Sequence, residues 1–389
     1  METPHVRPPA SKTELSSIVE LLERAFDDEQ TAAIFRRFIA APGFDVAGLH
    51  AVWSADGRAL SVVQAIPCEI ALLGTWLPGG IITMVGTVPE ARGRGFMRAC
   101  TDAAHRWLVE SGRYLGILYG VPDLYPKFGY RPVMPRTGTR YSLPATQHTL
   151  VTRPATSEDV PAIAGLFNAH YVQQPCSVYR APEAWLWEEP AGRATLQVLD
   201  VQGETRGYLR VLTSDAEPDL AVLEAACPPG LEPQLLDAAH ALAGSEGHTG
   251  VDLRLMPDHP LVNEATRRAT GLEIGDATAT VILPQAGMLA VLDSEALLEQ
   301  LRNHIEARLG RDSLRITSAG MTITFGSDNG PELHVTNPHD LAHVISGYPG
   351  ITALRQWGRL SGDEQAIAAA QRVFPTAWPR WTTAPVWGE

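Results

Sequence analysis

The sequence predicts an α/β (α+β) fold of mixed sheets flanked by helices, laid out in three successive regions. Three observations carry that reading. Apolar residues switch repeatedly between helical and strand spacing along the 389-residue chain. One order of helix and strands occurs twice at domain length, which indicates an internal duplication. The length suits two or three domains at roughly 150 residues each. The expected boundaries are 1–150, 151–285 and 286–389.

In the first region, Thr13 precedes a helix with Leu15, Ile18, Val19, Leu22 and Phe26 at helical spacing. Strands are expected at Leu49–Trp53, Leu60–Ile66 and Ile70–Leu73, the first two joined through the hairpin signal Asp56-Gly57. A strand (Ile81–Val88), a helix (Gly95–Ser111) and a strand (Tyr114–Tyr119) follow, with Gly112 placed to end the helix. The second region repeats this order. Ser157 is the expected cap of a helix at Val160–His170. Strands then fall at Thr195–Val201, Gly207–Leu212 and Ala221–Ala225, a helix at Leu231–Ala243 and a strand at Gly250–Leu255. The third region opens with a helix at Ser294–Leu309, then a hairpin of Leu314–Ser318 and Met321–Gly326, then a strand at Glu332–Val335. Asn337-Pro338-His339-Asp340 supplies a cap, a first-position proline and a first-turn acid. The tail holds Trp378, Trp381 and Trp387 among prolines, a composition that favours docking over helix.

Charge narrows the function. Thirty-one basic against 44 acidic residues leave −13, which disfavours nucleic-acid or anionic-membrane partners and favours a cationic small molecule or peptide. No apolar run reaches the ~18 residues of a membrane span. METPHVRPPA has no apolar stretch of a secretory signal, and Cys68, Cys100, Cys176 and Cys227 contain no CxxC pair. Reduced thiols and a cytoplasmic setting are therefore expected. Lys12 and Lys127 are the only lysines and neither follows a glycine, so a P-loop is excluded. GxSxG is absent, which disfavours an α/β-hydrolase. His339 and His343 have the spacing of metal ligands, but HExxH is missing and no metal is expected. Asp27, Asp28 and Glu29 read as a solvated acidic turn or as an attractor for a polycationic amine. Phe26, Phe35 and Phe38 read as core or as lining of an acceptor pocket. Trp185 and Trp187 read as packing.

The chemistry concentrates in Ile81–Tyr130. A strand runs through Pro89 into Arg92-Gly93-Arg94-Gly95 and then a helix. Glycines let the backbone approach a ligand, and free N–H groups at a helix start hold a pyrophosphate. Arg92, Arg94 and Arg98 add charge-assisted donors. Alone, such a corner is also what a strand–turn–helix with solvated arginines looks like. Downstream, Leu124-Tyr125-Pro126-Lys127-Phe128-Gly129-Tyr130 completes a pattern. Together these segments resemble the GNAT acyltransferase superfamily: a strand, R-x-x-G-x-G/A, a helix, a strand, and Y-x-x-x-G-F/Y. Met97 replaces the small residue that ends the loop motif. The three-region layout is similar to the Eis (enhanced intracellular survival) family of actinobacterial N-acetyltransferases, two GNAT domains followed by a sterol-carrier-protein-like α+β domain.

The resemblance implies an acetyl-CoA-dependent N-acetyltransferase with one active site, in the first domain. It places the pantetheine arm on Val85, Gly86 and Thr87 and the pyrophosphate on Gly93, Arg94, Gly95, Phe96, Met97 and Arg98. It sets Gly120 and Val121 beside the thioester and makes Tyr125 the general acid on the departing thiolate. It makes the C-terminal carboxylate, here on Glu389, the general base, with Glu69 as a fallback. Family members tend to end on an aromatic residue, and this chain ends Val386-Trp387-Gly388-Glu389. Tyr130 reads as the packing partner of Tyr125. The implied acceptor is an amine of an aminoglycoside-like molecule or of lysine, and the implied assembly a homohexamer. In the second region, Cys227-Pro228-Pro229-Gly230 stands where the arginine–glycine loop would be, and prolines lack the donors, so that domain reads as a degenerate copy. Three other readings stay open: an acyltransferase for a dedicated biosynthetic metabolite, a lipid or apolar-ligand carrier built on the third region, and a non-catalytic acyl-CoA sensor.

Overall fold

The computed structural model describes residues 5–26, 29–40, 44–141, 152–182, 194–212, 218–269, 277–327 and 329–380. The chain forms two compact units, Met1–Met134 with Gln285–Ala377, and Pro135–Pro284 with Trp378–Glu389.

The first unit begins β1 (Val6–Arg7), α1 (Lys12–Phe26), α2 (Glu29–Ala40), β2 (Leu49–Trp53), β3 (Ala59–Leu72), β4 (Thr75–Thr87), α3 (Phe96–Glu110) and β5 (Leu115–Tyr119). Gly57, at φ +81°, makes the turn between β2 and β3. β1 to β4 pair antiparallel in chain order, and β4 pairs parallel with β5. Parallel pairing requires a crossover, and α3 supplies it. Leu108, Cys100 and Ala104 of α3 pack on Val63, Ala65 and Ile82 of the sheet. α3 ends at Gly112, whose φ of +74° lets its N–H and that of Arg113 return to Val109 and Leu108.

β3 is one strand where the sequence suggested two. Pro67 lies beyond Gln64, where β2 runs out, and a proline is tolerated on such an open edge.

After β6 (Arg131–Tyr141) the pattern recurs in the second unit: β7 (Thr152–Pro154), α4 (Val160–Tyr171), β8 (Ala194–Val201), β9 (Glu204–Leu212), β10 (Leu220–Ala226), α5 (Glu232–Ser245) and β11 (Val251–Leu253). β7 to β10 pair antiparallel in order and β10 pairs parallel with β11, so the duplicated order is also a duplicated ladder. α4 is preceded by a single 3₁₀ turn, Ser157–Asp159, which Thr156 caps with Asp159 in a reciprocal capping box; Asp159, not Ser157, then stands at the N-cap of α4. α6 (Pro260–Ala269) and β12 (Ala277–Val291) follow. The closing strands are exchanged: residues 287–291 of β12 pair with β5, and residues 139–141 of β6 pair with β11.

The remainder of the first unit holds α7 (Ser294–Gln300), α8 (Arg302–Leu309), β13 (Leu314–Ser318), β14 (Met321–Phe325), β15 (Glu332–Val335), α9 (Leu341–Ser346), α10 (Ile351–Gln356), β16 (Leu360–Ser361) and α11 (Glu364–Val373). Its sheet runs β14-β13-β15-β16. The expected helix over 294–309 is two helices meeting at Leu301. Asn337 caps the next turn as expected, accepting from the His339 N–H at 3.0 Å. Arg131 joins this portion to the strand after β5, through a part-buried 2.6 Å bridge to Asp340. His339 packs over Gly129, and His343 Nδ1 meets the Tyr348 carbonyl at 3.0 Å. Both histidines are therefore accounted for by packing, and the described residues contain no His/Cys/Asp/Glu group that could hold a metal. No helix among them is long and apolar enough to cross a membrane.

Burial holds His50, His105, His170 and His343 down at about 4. An unfolded chain takes up those protons near pH ~6.5. The stability these neutral rings contribute is thus full above about 6.5 and is lost as pH falls through about 4. Thermal unfolding followed at pH 7.5, 6 and 4.5 is expected to show a steadily falling midpoint. A flat midpoint over that span would contradict the burial of neutral rings.

Candidate active site

The site forms where two neighbouring strands part. β4 and β5 are bonded at Gly79↔Leu115, Gly80↔Gly116 and Ile81↔Ile117, and no further. Beyond Ile81, the β5-facing edge of β4 has no ladder partner among the described residues. The opposite edge continues to bond β3, with a register shift: Gln64 opposes Thr83, yet Val62 opposes Gly86. The extra residue on β4 is a bulge at Met84–Val85, and Met84 takes a φ of +45°. A left-handed backbone at a methionine is strained and must be held by its surroundings. The bulge also inverts the facing of β4. Ile82 and Val85, three positions apart, both pack on the core beneath α3. Gly86 then faces α1, where a Cβ would sit 2.9 Å from Leu21 and 3.3 Å from Ala25. Ser61 Oγ donates to the Gly86 carbonyl at 3.1 Å and meets Thr87 Oγ1 at 2.9 Å, which fixes this end of the strand.

The corner between β4 and α3 follows. Gly93 and Gly95 have φ values of +73° and +79°, with no atom within 4 Å of where a Cβ would be. Gly95 caps α3 without a side-chain bond, and the N–H groups from Gly93 to Arg98 have no acceptor among the described residues. Outward donors on an open, left-handed turn at a helix start suit a pyrophosphate. Arg94 and Arg98 are exposed, each guanidinium 4.6 Å from a ring, that of Phe96 and of Phe128. Arg92 donates to the Ala25 carbonyl at 2.9 Å and to that of Thr87 at 3.3 Å, tying the corner to α1. Phe96 and Met97 lean into the core, so at those positions only backbone faces the turn. That is why a bulky Met97 is accommodated at a position the motif reserves for a small residue.

Tyr125 opens the 3₁₀ turn after β5, and its ring lies against Gly120, where a Cβ would fall 2.3 Å from Cε2. The residue is 8% exposed, and its hydroxyl has no partner among the described residues. Burial pushes that hydroxyl up to about 12, so it is a proton donor at neutral pH. Tyr130 braces it edge-on at a 6.1 Å centroid distance. Tyr130 is itself fixed by His105 Nε2 at 3.0 Å and by the close backbone of Gly116. His105 escaped the sequence reading because a lone histidine within a helix carries no spacing signal.

Val121 is exposed beside Gly120. Glu69 is exposed and pairs with Pro78, four positions from the Ala65↔Ile82 pair and hence about 13 Å away at ~3.3 Å per residue. That distance makes it a poor base for the parted strands. Of the phenylalanines, Phe35 is core while Phe26 at the end of α1 is 44% exposed. Glu389, Asp27, Asp28, Trp185 and Trp187 lie outside the described residues, as does the side chain of Glu29.

Residues 6–133 match the family model for an acetyltransferase (GNAT) domain. This segment is a GNAT domain, and the protein is an acyltransferase. GNAT domains use acyl-CoA as donor, and the parted strands and open corner have the free backbone donors that such a molecule needs. Solved structures with the same fold extend over the whole chain. A GCN5-related N-acetyltransferase from Anabaena variabilis has a TM-score of 0.74 at 15% identity, covering 97% of this chain and 99% of its own. One from Kribbella flavida has 0.69 at 20%, covering 97% and 98%. Eis1 from Mycobacterium abscessus has 0.67 at 15%, covering 97% and 99%. At such identities the likeness is one of fold. No curated protein matches the chain.

Gly120→Ala tests the packing of Tyr125. The methyl group would displace the ring, and a displacement of about 1 Å is enough to lower turnover ~10²-fold. Retained circular dichroism with lost turnover is expected. Unchanged turnover would mean that the Gly120–Tyr125 contact does not position the phenol.

Proposed function

We propose that the protein is an acetyl-CoA-dependent N-acetyltransferase that acetylates an amine of a cationic small molecule, aminoglycoside-like, or of lysine. The observation that carries this reading is a partnerless Tyr125 hydroxyl, on an otherwise buried side chain, beside the opening between β4 and β5.

In this reading the pantetheine arm bonds the free edge at Val85, Gly86 and Thr87 as an added strand. The N–H groups from Gly93 to Arg98, with the Arg94 and Arg98 side chains, hold the pyrophosphate. Gly120 and Val121 border the thioester. Backbone N–H at the Met84–Val85 bulge, released from the β3 ladder, polarises the acyl carbonyl. The neutral amine attacks that carbon, the carbon–sulfur bond breaks, and Tyr125 donates its proton to the sulfur. The amine proton goes to a base, for which the carboxylates of Glu389 are the candidates. The −13 charge draws a cationic acceptor toward the surface.

Tyr125→Phe removes the donor and keeps the ring. Release of free thiol is expected to slow at least ~10²-fold with KM for acetyl-CoA little changed. The acid must be protonated to act, and its proton is held up to about 12. The wild-type rate should therefore not fall through Tyr125 ionisation near pH ~10, where an ordinary phenol titrates. Undiminished turnover in Tyr125→Phe combined with deletion of Gly388-Glu389 would refute the mechanism. Arg94→Ala with Arg98→Ala is expected to raise KM for acetyl-CoA about tenfold or more, each charge-assisted bond contributing roughly 1.5–3 kcal/mol at most. An unchanged KM would remove the pyrophosphate from this corner.

A further inference from the structure

The second GNAT-like copy keeps the geometry of a transferase cleft but fills it differently. β10 corresponds to β4, and its pairing with β11 likewise stops, at Val222↔Leu253. One residue on, β10 bulges: Val222 opposes Val211, while Glu224 already opposes Arg210, leaving Leu223 outside the ladder with β9. Leu223 stands three residues before the end of β10, as Met84 stands before the end of β4. His259 lies six residues beyond β11, as Tyr125 lies six beyond β5. His259 Nε2 meets the Ala225 carbonyl at 3.1 Å, and Tyr171 Oη donates to the same oxygen at 3.3 Å.

We propose that this duplicated cleft is a guanidinium site occupied by the chain's own Arg380, which anchors the C-terminal segment there. The Arg380 guanidinium donates to the Leu223 carbonyl, the oxygen that the bulge turns out of the ladder. Its backbone N–H donates to the Pro175 carbonyl at 2.9 Å, and its charge lies 5.9 Å from the Tyr171 ring centroid. The buried carboxylate next to Leu223 in sequence, Glu224, is already committed, bidentate to Arg180 at 2.8 and 2.9 Å and to the Tyr208 hydroxyl at 2.8 Å. Arg380 is therefore held through Nη2 by a carbonyl and by the face of a ring, and not by an opposite charge, while its Nη1 is buried without a partner among the described residues. The copy has also lost its anion corner. Pro228 and Pro229 have no N–H, and the Gly230 N–H is taken by Glu232 Oε2 at 2.7 Å. What remains is a cleft suited to a cation. This inference does not rest on the acyl-transfer reading, because it concerns the other copy.

The test is amide hydrogen exchange on the full chain carrying Arg380→Ala. Exchange in 172–180 and 222–226 is expected to quicken about tenfold or more, while β3 and β4 stay unchanged. Millimolar methylguanidinium should restore slow exchange, and methylammonium, with the same charge but no fork, should not. Exchange equal to wild type overturns the proposal, as does rescue by neither cation or equally by both. If Arg380→Ala does not fold, Arg380→Lys serves, with the same expected acceleration and the same rescue by methylguanidinium alone.

Discussion

Backbone hydrogen bonding that ends at Ile81↔Ile117 is the constraint on which the rest of the first unit turns. A parallel pair that continued would leave no room for a ligand and no free donors. A pair that stops leaves polar groups on β4 that need either water or a ligand, since unpaired buried backbone groups are costly. The bulge at Met84–Val85 steepens the separation and turns the strand so that Gly86 meets α1 while Val85 stays on α3. Gly86, Gly116 and Gly120 then share a physical reason. Each lets a neighbour come so close that a methyl group would collide, with Leu21, Tyr130 and Tyr125 respectively. The site is thus a product of close packing as much as of the motif glycines at the helix start.

The duplicated ladders show how one architecture can be put to two uses. Both copies part the same pair of strands and both carry a bulge on the same strand. In the first, the corner glycines leave N–H groups open and a phenol stands six residues beyond β5. In the second, prolines and Glu232 close the corner and an imidazole stands at the phenol's place. Charge follows this division: open N–H groups at the corner of one copy, the Arg380 guanidinium beside the bulge of the other.

Local signals made much of this legible in the sequence. β15 matches its expected range, and so does β2, because turn residues fence short apolar runs. α3 and Gly112 were readable because capping glycines have a conformational reason to be there. The left-handed turn at Gly93 and Gly95 was readable because glycine is the residue that such a turn favours. Long-range features were not. Pro67 looks like a strand breaker until it is known that β2 stops before it. The exchange of β6 and β12 between ladders has no local trace, since either strand could complete either ladder. That Arg92 also ties the corner to α1 has no local signal. Arg380 and His259 carry no motif, and only the register of β10 gives them meaning.

The claim that most depends on this account is that acyl-CoA lies along the parted edge of β4 and over the α3 corner of the first copy alone. Amide hydrogen exchange of the intact protein with and without acetyl-CoA tests it directly. New protection is expected at residues 83–87 and 93–98, with 220–226 and 228–235 untouched. Protection that appeared in the second copy, or that spared 93–98, would contradict it.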